Sequence, residues 1–162
     1  MKLSYWEYNS WFQDIDICII GSGIVGLSAA YYARLKYPKA KIIVLERGFL
    51  PSGASTKNDG LSCYGSISEM IADTDIMSED EIFSLVERRW KGLMNLRQML
   101  GDEAIHYENI GGYELFKKQD LFEKCAQNIS YFNAALKNIV GDNVYSLVNN
   151  TQHFNAYSTL IK

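Results

Sequence analysis

The sequence predicts an α/β fold built on a parallel βαβ unit, and three observations in residues 14–46 support this prediction. An isoleucine-rich run leads into a glycine-rich turn, an alanine-rich segment of helical character follows, and a second apolar run closes on an acid. Near-continuous apolar, β-branched runs are typical of strands buried on both faces of a parallel sheet. In this order and spacing, the segments form one βαβ unit.

The glycine-rich turn directly follows the first strand, which is predicted over residues 15–20. It comprises Gly21, Ser22, Gly23, Ile24, Val25 and Gly26. Gly21 permits a tight bend, Gly23 lets a pyrophosphate approach the backbone without a Cβ in the way, and Gly26 allows the helix to pack close to the sheet. The helix start then offers free N–H groups and its positive dipole end to phosphates. The pattern therefore favours a dinucleotide site over a chance glycine turn.

The second half of the unit completes this pattern. The helix is expected to end before Pro38, because a residue that precedes proline avoids the α region. A second strand over residues 42–45 leads into Glu46, which lies 20 residues after Gly26. At that position a carboxylate can bind both ribose hydroxyls of an adenosine. The strand, turn, helix, strand and acid together meet the context that the glycine motif needs.

A loop rich in glycine, serine and proline is predicted over residues 47–66. A loop this long within a compact domain is usually functional. Ser52, Ser55 and Thr56 can bond phosphate oxygens, and Gly53 and Gly60 allow the backbone to approach a flat ring. The alternative is a solvated connection, which the position directly after Glu46 disfavours.

The remainder of the chain alternates predicted helices with short strands. Capping-box spacing at Ser66 and Ser78 predicts two helix starts, the second helix running to about Leu100. Residues 104–116 resemble two short strands around a Gly-Gly pair, and residues 120–141 predict another helix with an apolar stripe. His106 has no ligand partner at metal spacing, so a structural role and no metal site are expected. The tail, residues 142–162, is polar and rich in asparagine.

Composition excludes several classes of protein. The net charge is −3 and the pI about 5.4, which gives no electrostatic basis for binding nucleic acid. The three cysteines form no CxxC pair, so a reduced, cytoplasmic setting is expected, with Cys18 buried in the first strand. No signal peptide and no membrane span are predicted. The aromatic residues of segment 1–13 are expected to cover the core.

Together these residues resemble the amino-terminal part of the D-amino-acid oxidase, glycine oxidase and sarcosine oxidase superfamily of FAD-dependent oxidoreductases. Three features carry the resemblance: residues 14–16 leading into the glycine turn, Glu46 with Arg47, and the loop of residues 53–60. The helix over residues 86–101 and the GGYELF run after it are similar to that family's entry into its substrate domain. The implied fold is a Rossmann-like βαβ unit with added helices and the start of an antiparallel substrate-domain sheet.

The resemblance implies FAD as cofactor and assigns roles to residues of this chain. Gly21, Gly23 and Gly26 would lie on the pyrophosphate, Glu46 would hold the adenosine ribose, and Arg47 would lie beside the adenine. The flavin-side loop comprises Ala54, Ser55, Thr56, Lys57, Asn58, Asp59 and Gly60. In it Ser55 and Thr56 would bind phosphate or ribitol oxygens, and residues 57–60 would approach the isoalloxazine. The implied reaction removes hydride from a C–H next to an amine or hydroxyl of a small amine, amino acid or hydroxy acid. No catalytic residue can be named.

Members of this family are normally more than twice as long. Residues 1–103 are therefore expected to form the FAD-binding portion with a helical insertion, and residues 104–162 a truncated start of the substrate domain. Self-association or a missing C-terminal half would complete the protein. Two alternatives stay open: an NAD-binding domain of a dehydrogenase, which the long loop after Glu46 disfavours, and a nucleotide-binding module without chemistry. Covalent flavin attachment at Cys63 is disfavoured, because buried or incidental cysteines are far commoner.

Overall fold

The computed structural model describes residues 3–148 and divides the chain into two compact units, Met1–Leu61 and Ser62–Lys162. This division falls at residues 61–62, whereas the sequence places a domain boundary at 103–104. The boundary at 103–104 marks where the substrate domain is expected to begin by family resemblance, and it stays a prediction. Most of the polar tail lies outside the described residues.

The first unit contains the predicted βαβ arrangement. Strand β1 (Ile17–Ile20) and strand β2 (Ile42–Leu45) pair in parallel, with Ile17 opposite Ile42. Between them lies helix α2 (Ile24–Lys36), which ends before Pro38 as predicted. The Asp16 carboxylate accepts the Lys41 amide at 2.7 Å and so ties together the starts of both strands. The predicted α/β class is therefore confirmed.

One face of this small sheet is exposed, which corrects the expectation of strands buried on both faces. Burial alternates along β1, and both Cys18 and Ile20 are exposed, Ile20 at 79%. Side chains of a strand alternate between faces, and within residues 3–148 the helix Ile24–Lys36 covers one of them. The prediction of a buried Cys18 is therefore wrong.

The aromatic N-terminal segment is also more exposed than predicted. Helix α1 (Tyr5–Glu7) continues into a π-helical turn, Tyr8–Phe12, and neither has a buried residue. A capping box between Ser4 and Glu7 closes the segment on itself, and Tyr5 and Trp6 meet edge to face with their ring centroids 5.3 Å apart. The expected cover of the core by this segment is wrong, because its side chains contact one another instead.

The second unit is helical. Helix α3 (Ile67–Asp73) and helix α4 (Glu79–Leu100) begin at Ser66 and Ser78, and both predicted capping boxes are confirmed. Both pack against helix α5 (Gln119–Val140). The buried apolar side chains of this core are Ile67, Met70, Ile71, Ile82, Val86, Cys125, Phe132 and Leu136. No helix in the described part of the chain is long and apolar enough to span a membrane.

The predicted strands over residues 104–116 are absent, so that prediction is wrong. The segment forms turns and then irregular backbone without ladder pairing. In the last turn of the preceding helix, the Arg97 guanidinium donates two hydrogen bonds to the Asp102 carboxylate, with both N–O distances 2.7 Å. The same guanidinium lies 4.1 Å from the Tyr107 ring centroid. Ile110 beyond the turn is 80% exposed. A two-stranded hairpin by itself is marginally stable at best, and within the described residues no further strand pairs with this segment.

Candidate functional site

The glycine turn lies at the end of β1, where its backbone is forced into a tight bend. Gly21 has a φ of 93°, in the left-handed region that favours glycine, and its amide donates to Leu45 O at 2.7 Å. A Cβ at Gly26 would lie 2.0 Å from Gly21 O. The close approach predicted for Gly26 therefore exists, but its nearest neighbour is the turn's own carbonyl.

Two side chains from the second half of the unit reach this turn. The Ser22 amide and the Ser22 hydroxyl both donate to Glu46 Oε2, each at 2.8 Å. The Ile24 amide donates to Ser55 Oγ at 2.9 Å. A Cβ at Gly23 would lie 3.0 Å from the same Ser55 oxygen. The structure thus brings together the turn, the acid after β2 and one serine of the long loop.

Other amides of the turn remain open to a ligand. First-turn amides of a helix have no intrahelical partner. Within residues 3–148, the amides of Val25 and Gly26 have no acceptor from elsewhere either. They belong to the positive end of α2, where anions are stabilised. The turn can therefore bind a phosphate through its backbone.

Glu46 is held as an anion by the donors around it. Its pKa is lowered from 4.5 to about 2, chiefly by the amide and the hydroxyl of Ser22, with a smaller effect from the amide of Gly48. Its second oxygen, Oε1, accepts the Arg47 amide at 3.0 Å and the Gly48 amide at 3.4 Å. A carboxylate in this state can accept hydrogen bonds from hydroxyl groups but cannot donate one.

The rest of the predicted loop is ordered by its own contacts. A 3₁₀ helix, Ala54–Thr56, places the Thr56 hydroxyl 3.0 Å from Gly53 O, to which it donates. The Asn58 amide group donates to Ser55 O, and Asn58 Oδ1 accepts the Gly60 amide. No contact in the described residues brings Lys57, Asn58, Asp59 or Gly60 to the turn, and all four are exposed, as are Arg47 and Ala54. Their flavin contacts stay a prediction.

The role of Ser22 is the feature that sequence reasoning missed. The sequence pattern places Ser22 in the site only as the residue between two glycines, whereas in the structure its hydroxyl donates a hydrogen bond to Glu46. The available signal was a small hydroxyl residue directly after the strand-ending glycine, paired with an acid after the second strand. Such a residue can donate twice to one carboxylate, through its backbone and its side chain.

Comparison with known proteins identifies the family. A family model described as FAD dependent oxidoreductase matches residues 16–148. The chain belongs to this family. FAD is therefore its cofactor, in agreement with the prediction. The chain is also 26% identical, over 141 residues, to thiamine thiazole synthase of Yarrowia lipolytica, an alignment that covers 83% of this chain and 37% of that protein. No solved structure matches. This member of the FAD-dependent oxidoreductase family thus spans well under half the length of the curated relative.

The residues present fit the nucleotide part of FAD. Gly23 lacks the Cβ that would crowd the space at Ser55 Oγ, and the open amides of Val25 and Gly26 suit a pyrophosphate. The Glu46 anion suits a ribose diol, which offers two donors. Within the described residues, no group of histidine, cysteine and acidic side chains could hold a metal ion.

Proposed function

We propose that this chain binds FAD through residues 14–60 as the nucleotide-binding portion of an oxidoreductase that oxidises a C–H next to an amine or hydroxyl. The substrate would be a small amine, amino acid or hydroxy acid. Bound FAD would supply the redox chemistry, which is acceptance of the hydride from that C–H and reoxidation by a second substrate such as oxygen. The chain's own residues bind and orient the cofactor.

The observation that supports FAD binding most directly is the pairing at the turn. Anionic Glu46 lies beside one end of the turn, and the open amides of Val25 and Gly26 lie at the other. A dinucleotide requires both, an acceptor for its ribose hydroxyls and donors for its phosphates. The Ser55 hydroxyl accepts from Ile24, and its own hydrogen can be donated to a phosphate oxygen.

We propose further that catalysis requires more protein than this chain provides. The matched part of the relative is 37% of its length, and no side chain of the described residues is assigned as a catalytic base. A second copy or a further polypeptide would complete the substrate side. The free cysteines agree with a reducing, cytoplasmic setting, and neither nucleic acid nor a membrane is proposed as a partner.

Two other functions share the same turn and acid. An NAD-binding domain would use both in the same way, but the match to the FAD-dependent family disfavours it. A nucleotide-binding module without chemistry would need nothing more. The likeness to thiamine thiazole synthase extends over only 37% of that protein and therefore does not select the substrate chemistry. These alternatives differ in the ligand that is bound and in the chemistry that follows.

The proposal is tested by titrating the purified chain with FAD and following flavin fluorescence and binding heat. We expect one FAD per chain, displaced by ADP but not by FMN, since the proposed contacts of the turn and of Glu46 would all be to the ADP half of the cofactor. Gly23→Ala should weaken FAD binding at least about tenfold, because a methyl group would stand where the pyrophosphate approaches. Gly92→Ala is the matched control, since a Cβ there meets nothing within 4 Å and Gly92 lies on α4, outside the proposed FAD-binding residues. Binding of NAD in preference to FAD would refute the proposal.

A further inference from the structure

We propose that Ser22 is a positioning residue for the Glu46 carboxylate: it holds Oε2 and so leaves Oε1 to accept a ribose hydroxyl. This inference rests on the proposed FAD function and deepens it. It assigns to Ser22 a part in selecting nucleotides that carry ribose hydroxyls. The inference follows from the different surroundings of the two Glu46 oxygens.

Glu46 Oε2 is already saturated by Ser22. A carboxylate oxygen has two lone pairs, and Oε2 accepts from both the amide and the hydroxyl of Ser22, each at 2.8 Å. Hydrogen bonds to an ionised acceptor are among the stronger ones in proteins. Oε2 therefore has no remaining capacity for a ligand unless the Ser22 contacts break.

Glu46 Oε1 is in a different situation. Its two donors are the neighbouring amides of Arg47 and Gly48, at 3.0 and 3.4 Å. The longer contact is beyond the usual range for an N–H···O bond, so it is easily exchanged for a better donor. Oε1 is therefore the oxygen on which a ribose hydroxyl can be accepted without disturbing the turn.

The Ser22 hydroxyl is needed because a backbone amide alone does not fix the carboxylate. One hydrogen bond leaves the carboxylate plane free to rotate about the Glu46 side chain, whereas two donors from one residue restrict that rotation. Preorganisation of this kind lowers the entropy that is lost when the ligand binds. Ser22 and Glu46 are both half-buried, which leaves the carboxylate partly accessible to a nucleotide.

The test compares Ser22→Ala with Ser22→Thr, which keeps the hydroxyl, and with Ser28→Ala as control. Ser28 lies on α2, is half-buried, and its hydroxyl has no partner within residues 3–148. Carbon-13 NMR of the glutamate carboxyl groups reports the Glu46 pKa in the ligand-free chain. Calorimetry with ADP and with 2′,3′-dideoxy-ADP measures discrimination for the ribose diol.

Wild-type protein and Ser28→Ala should bind ADP about tenfold more tightly than the dideoxy analogue, because the analogue leaves a charged acceptor without its donors. Ser22→Ala should raise the Glu46 pKa and reduce this ratio to about two- to threefold, and Ser22→Thr should restore both. An unchanged Glu46 pKa in Ser22→Ala overturns the inference whether or not nucleotide binds. A raised pKa with undiminished discrimination overturns the ribose role alone. Failure of the wild type to bind ADP, with its Glu46 pKa near 2, refutes the proposed function and the ribose role with it.

Discussion

Replacement of Gly26 by alanine tests whether the close approach at the turn is required by the fold. The added Cβ would lie 2.0 Å from Gly21 O and 3.4 Å from Ile19 Cγ2. The first distance is about 1 Å shorter than real Cβ contacts allow, and the atom it meets is backbone, so the turn itself must move. Overpacking costs roughly 1–3 kcal/mol, and a backbone clash this close should cost about 3 kcal/mol, the upper end of that range. The higher helix propensity of alanine returns about 1 kcal/mol. We expect a net loss of about 2 kcal/mol.

Native-state hydrogen exchange is the suitable assay, because the chain has two compact units and a single unfolding transition cannot be assumed. The amide of Gly21, which donates to Leu45 O, reports opening of the turn directly. It should exchange roughly thirtyfold faster in Gly26→Ala, the ratio that about 2 kcal/mol implies. Gly53→Ala, which has nothing near its Cβ, should stay within about 0.5 kcal/mol of the wild type. Equal exchange in both variants would refute the steric reasoning.

Two further predictions concern acid stability and the helical core. Because hydrogen bonds from Ser22 lower the Glu46 pKa from 4.5 to about 2, its contribution to stability is complete above pH 4.5 and is lost as the pH falls towards 2. Thermal unfolding followed by circular dichroism at pH 5 and pH 2.5 should therefore show a smaller acid-induced drop for Glu46→Gln than for the wild type; parallel drops would contradict this. Leu136→Ala should cost about 2–5 kcal/mol, measured by native-state hydrogen exchange of the α5 amides, since Leu136 is 0% exposed. Leu147→Ala, at a 51% exposed position, should cost under about 0.5 kcal/mol, and equal losses would count against the assigned core.

Features that depend on neighbours in sequence were predicted well. The capping boxes at Ser66 and Ser78 join residues three apart, and the helix stop before Pro38 follows from the conformation of a single residue. The βαβ unit was recognisable because a glycine turn, a strand and an acid each left a local pattern. The prediction of FAD came from the family that these residues, together with the loop after Glu46, resemble.

Features that depend on distant partners were predicted poorly. Residues 104–116 have the composition of strands, but a strand exists only where another backbone pairs with it, and the described residues offer none. Cys18 has the surroundings of a buried strand residue in the sequence, yet burial requires an element on its face of the sheet. Composition indicates which secondary structure a segment prefers. It does not show whether the neighbouring element that must pair with or cover that segment is present.

The sequence by itself determined the βαβ unit, its glycine turn, the acid after β2 and the starts of the long helices, because these depend on short-range sterics, periodicity and i to i+3 hydrogen bonds. Only the tertiary structure decided which groups meet at the turn. Ser22 bonds Glu46 across 24 residues and Ile24 bonds Ser55 across 31. Those contacts exist because the parallel pairing of β1 with β2 brings the ends of both strands, and the loop after Glu46, to one edge of the sheet.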